Sequence, residues 1–89
     1  MRAIITVTGK DTVGIIAKVS KTCAEYNANI TDITQKVFDD LFVMIMLADT
    51  DRLSVRFTEF ADRLSALGQA NNLDIRAMHE DIFDAMHKI

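Results

Sequence analysis

The chain has 89 residues, enough for a single domain spanning 1–89, and its 49% apolar content can fill one core. A domain of this size buries only about 60% of its unfolded surface, which favours self-association. A net charge of −3, with both signs interleaved, argues against nucleic acid, where basic patches carry the affinity. The lone Cys23 allows no disulfide within a chain and fits a reducing, cytoplasmic setting. No apolar run is long enough for a signal peptide or a membrane span.

Ala3 to Thr8 is rich in β-branched residues and reads as a strand that turns at Gly9. From Thr12 to Tyr26 the period changes: Ile16, Val19, Cys23 and Tyr26, with Ile15 beside them, mark one face of a helix. Asp11 or Thr12 supplies its N-cap. Asn27 and Asn29 suit its exit, since asparagine tolerates left-handed backbone. Ile30 to Phe38 alternates Thr31, Ile33, Gln35 and Val37 with Asp32, Thr34, Lys36 and Phe38, the mixture of an edge strand. Asp39-Asp40 forms a turn, and Leu41 to Ala48, apolar on both faces, reads as a central strand covered twice. Asp49-Thr50-Asp51 offers capping oxygens to a second helix running along Leu53, Phe57, Phe60, Leu64 and Leu67. Asn71-Asn72 ends it, Leu73 to Ala77 alternates as a fourth strand, and Ile82, Phe83, Met86 and Ile89 mark a short final helix.

The order βαββαβ is that of an α+β, ferredoxin-like sandwich: a four-stranded antiparallel sheet, two helices on one face and a short C-terminal helix. Right-handed crossovers place both helices on the same face. The opposite face is then open, and a second copy of the chain is the simplest cover for the apolar side chains there.

Little in the chain points to catalysis or metal. Ser20, Ser54, Ser65 and Cys23 sit in helix patterns without a base or orienting group, so no enzyme is expected. His79 and His87, with Glu80 and Asp81, match no compact ligand spacing, and no metal or cofactor is expected. Acylphosphatases share the strand order but carry a catalytic arginine after the first strand, where this chain has Lys10. RNA-binding versions stack bases on aromatics of strands one and three, and only Phe42 is available here.

What remains is Gly9-Lys10-Asp11-Thr12-Val13-Gly14-Ile15, at a strand-to-helix junction. Its spacing is wrong for a dinucleotide fingerprint or a phosphate loop. Gly9 as a plain turn, Gly14 as a packing glycine and Asp11 as a plain cap are all compatible with the pattern. So is a ligand site: uncapped helix amides face an anion, and Asp11 receives an ammonium. An amino acid carries both groups.

The run strand–Gly-Lys-Asp-x-x-Gly-Ile–helix, followed by Asn29-Ile30 opening the second strand, resembles the ACT domain over essentially the whole chain. The start and the Ile82-Phe83-x-Ala85-Met86 end look similar to short stand-alone ACT proteins of bacteria and archaea, and to the ACT halves of the glycine-cleavage repressor. The resemblance implies a cytoplasmic regulatory module, assembled as a homodimer or higher oligomer, that binds an amino acid or similar molecule and acts on a protein partner. It implies a ligand between subunits, touched by the loop after strand one (Gly9, Lys10, Asp11, with Gly14 and Ile15 as the helix-opening pair) and by Asn29 and Ile30 of the neighbouring subunit. Two departures stand out: Val13 where proline is common, and Gly9 where ligand-binding members carry a polar side chain. Copies of the domain align through helix one and strand two, which agrees with the polar edge read from the alternation. Pairing through sheet faces is the other arrangement; an interaction module without a ligand is the second functional reading and a small enzyme the third.

Overall fold

A computed structural model describes residues 1–10 and 13–86. The elements follow the expected order: β1 (Arg2–Lys10), α1 (Ile15–Glu25), β2 (Asn29–Phe38), β3 (Leu41–Asp49), α2 (Phe57–Ala70), β4 (Leu73–His79) and α3 (Glu80–Met86). The antiparallel sheet runs β2-β3-β1-β4, so the polar strand is at an edge and the apolar strand is central.

Strand alternation fixes the core. Ile5 faces Met46 and Ala77, and Val7 faces Met44 and Ile75. These residues meet Ile15, Val19 and Cys23 of α1 and Phe60 and Leu64 of α2, on the one sheet face that both long helices cover. The opposite face is covered only in part. α3 packs against β1 and β4 and is tied there by Arg2, whose guanidinium donates to Glu80 at 2.9 and 2.5 Å. Ile4, which points away from α1 and α2, is consequently buried. Beyond α3 the face stays bare: Phe38, Leu41 and Ile45 are exposed, so β3 is fully covered on one side only.

Several local expectations are corrected. β1 does not end at Thr8; it continues through Gly9, paired with Phe42 and Leu73, to Lys10. α1 begins at Ile15, three residues later than the periodicity predicts. Its N-cap is Gly14 at φ 87°, a left-handed conformation that ends any helical path arriving from upstream. Asp11 and Thr12 lie outside the described residues. The face of α1 is therefore Ile15, Val19 and Cys23, four apart, and Ile16 rotates outward to 37% exposure. An added Cβ at Gly14 would meet nothing within 4 Å, so Gly14 is not a packing glycine. Gly68 takes that part: a Cβ there would stand 2.6 Å from the Leu73 carbonyl oxygen.

α2 likewise starts late, at Phe57 after an extended Arg56 with no side-chain cap. Asp49-Thr50-Asp51 does not cap α2. Asp49 closes β3, the Thr50 hydroxyl donates to the Met1 carbonyl at 3.0 Å, and Asp51 pairs with the Met1 ammonium. That pairing holds the ammonium above its usual pKa and the Asp51 carboxyl below its own. The segment between turns on Leu53 N–H to Thr50 O and is fastened by Ser54 N–H to Tyr26 O at 2.9 Å.

Candidate functional site

The residues singled out in the sequence fall into two groups at opposite ends of the sheet. Lys10 pairs with Leu41 at one end of β1, while Arg2 pairs with Asp49, the partner of Asn29, at the other. Eight residue steps separate these ends, about 26 Å. One protomer does not bring Gly9, Lys10, Gly14 and Ile15 together with Asn29 and Ile30.

The first group surrounds the start of α1. Lys10 is exposed at the strand end. Ile15 is 3% exposed and belongs to the core, so it offers a ligand mainly its backbone. The first three N–H groups of an α-helix lack intrahelical partners, and Gly14 supplies no side-chain cap. They border a groove of about 340 Å³ lined by Gly14, Ile15, Ile16, Ala17, Gln35, Val37 and Phe42. The helix dipole adds a partial positive charge at this end.

The second group surrounds the exit of α1. Asn27 takes the left-handed conformation, φ 60°, and Ala28 N–H returns to Cys23 O at 2.9 Å, which turns the chain sharply into β2. Beside that turn is a cavity of about 760 Å³ lined by Ala24, Asn27, Ala28, Asn29, Asp49, Asp51 and Arg52. Asn29 is exposed on its wall, whereas Ile30 is half-buried and packs against the core. Asp49 and Arg52 escaped the sequence reading because an Asp-Thr-Asp run before a helical pattern looks like capping. The signal that could have found them is their position: the β3–α2 turn lies beside the start of β2 in this topology.

Between the two groups runs an apolar seam. Ile33 and Val37 lie on the helix side of β2, Val37 sharing the groove with Ile16 of α1, and all three are exposed. Thr31 forms a bulge in β2 and donates its hydroxyl to Leu47 O at 3.2 Å; such bulges twist an edge strand.

The other chemistries find no support among the described residues. No cluster of metal-ligating side chains is present. His79 stacks on Phe57 at 4.1 Å, and His87 lies outside the described residues. Cys23 is fully buried and its thiol is pushed up to about 11 by burial, far from a reactive thiolate. Phe42 is 5% exposed and faces the helices, so it makes no base-stacking platform. No described helix is long and apolar enough to cross a membrane.

Comparison with known proteins agrees with this architecture. The ACT domain family model matches residues 2–78. A UPF0237 protein of Listeria innocua is 43% identical over 89 residues, covering 100% of both chains. A UPF0237 protein of Methanocaldococcus jannaschii is 43% identical over 88 residues, covering 99% of this chain and 98% of the relative. Among solved structures, an ACT domain protein from Streptococcus pneumoniae superposes with a TM-score of 0.82 at 42% identity, covering 98% of each chain. The chain belongs to the ACT-domain family, whose members are regulatory ligand-binding modules.

Proposed function

We propose that this protein is a cytoplasmic, non-catalytic sensor that binds an amino acid or similar small zwitterion at a seam between two copies of the chain. The observation that carries this reading is the separation of the half-sites. Asn29 and Val37 lie four residues to either side of Ile33 on edge strand β2, with the Thr31 bulge between Asn29 and Ile33. A two-fold axis near Ile33 sets the Asn29 cavity of one copy against the Gly14–Ala17 groove of the other, and does so twice. The exposed Ile16, Ile33 and Val37 supply apolar contact, and edge strand β2 supplies backbone pairing. Uncapped amides at the start of α1 then face the ligand from one copy, with exposed Lys10 at the end of β1.

Ligand binding across the seam stabilises the dimer by linkage, and the change is read by a protein partner. A thermal-shift panel of the twenty amino acids tests this: one or a few should raise the melting temperature, with dimers seen by light scattering at micromolar concentration. A flat panel would instead favour an interaction module without a ligand, the reading that the bare Phe38, Leu41 and Ile45 face supports.

A further inference from the structure

The cavity at the exit of α1 carries a pair of opposite charges that the fold engages only in part. Arg52 makes no hydrogen bond or ion pair among the described residues, although it stands on the same cavity wall as two carboxylates. One of these is already engaged: Asp51 holds the Met1 ammonium. The other is half engaged: Asp49 accepts the Asp51 N–H at 2.9 Å through Oδ1, which leaves Oδ2 unassigned. Asn27 and Asn29 add two side-chain amides to the wall, and Ala24 and Ala28 keep the space open. The volume, about 760 Å³, lies within the range of small-molecule sites.

We infer that Asp49 and Arg52 clamp the head group of an α-amino acid, Arg52 taking the carboxylate and Asp49 the ammonium. The guanidinium fork matches a carboxylate in two parallel hydrogen bonds. A carboxylate with one oxygen uncommitted matches an ammonium. The two asparagine amides, each donor and acceptor, remain for polar atoms elsewhere on the ligand. This inference rests on the reading of the ligand as a small zwitterion, and it places the head group on the Asn29 side of the seam. The Gly14–Ala17 groove then closes over the rest of the ligand from the second copy.

The test starts from the amino acid that gives the largest thermal shift. Its affinity is compared by calorimetry with those of its deaminated carboxylic acid and its decarboxylated amine. Losing either charge should weaken binding about tenfold or more. Arg52→Gln should weaken the amino acid and the deaminated acid equally while leaving the amine unaffected; Asp49→Asn should do the reverse. Asp49→Asn keeps the oxygen that accepts the Asp51 N–H, and Arg52 is exposed, so unliganded melting temperatures should match wild type. If both variants bind the amino acid within twofold of wild type, the clamp is overturned and the sensor reading stands. If no amino acid shifts the wild type, the sensor reading falls and the clamp falls with it.

Discussion

α1 and α2 leave their last turns by the same device, an asparagine in the left-handed region, Asn27 at φ 60° and Asn72 at φ 57°, but to opposite ends. At the exit of α2 the neighbouring Asn71 is fully used. Its Nδ2 donates to Leu67 O at 2.8 Å, and its Oδ1 accepts from Lys18 Nζ at 2.8 Å. Gly68 lets β4 press against the helix there. At the exit of α1, Asn27 and Asn29 have no such partners among the described residues and line a cavity instead. The local signal specifies the turn in both cases. Only the surroundings decide whether the amides stabilise the fold or remain available to a ligand.

The largest expected effect is at the closed exit. Gly68→Ala drives a Cβ against the Leu73 carbonyl and should cost about 2–3 kcal/mol in urea unfolding. Next comes Cys23, which anchors the last turn of α1. Burial raises its pKa to about 11, so the neutral thiol is favoured in the folded state. Stability should be intact below about pH 8.5 and fall by about 2 kcal/mol as the pH rises toward 11; in Cys23→Ala most of that slope should go, leaving the smaller loss as the Met1 ammonium, also raised, gives up its proton. Asn71→Ala removes two hydrogen bonds and should cost about 1 kcal/mol with ligand response unchanged. Asn29→Ala should give the mirror result: stability within about 0.5 kcal/mol of wild type but no thermal shift. Equal behaviour of the last two variants would erase the distinction between the exits.

The architecture was legible because its signals are periodic. β-branched alternation marks Ala3–Thr8 as a strand, the doubly apolar Leu41–Ala48 as a central one and the mixed Ile30–Phe38 as an edge, as the sheet has them. Helix starts were less legible. Capping oxygens at Asp11, Thr12 and Asp49–Asp51 compete with backbone geometry that no side chain announces, such as Gly14 at φ 87° and the extended Arg56. The candidate site was half legible. Asn29 stood out by its place before a strand, whereas Arg52 belongs to an irregular turn whose only relation to Asn29 is spatial. The bare part of the open face was anticipated. Its partial cover by α3 depends on Ile4 and the Arg2–Glu80 pair, contacts that no local pattern reveals.

Subunit complementation reaches the central claim most directly. Ala17→Glu narrows the groove side of each seam and Asn29→Ala damages the opposite side, so neither variant alone should bind the stabilising amino acid. Mixed in equal amounts and allowed to exchange, they form dimers in which one seam of every mixed pair is whole, and about a quarter of the wild-type binding capacity should return. A mixture as silent as its components would show that the two halves never meet across copies, and the two-copy site would be wrong.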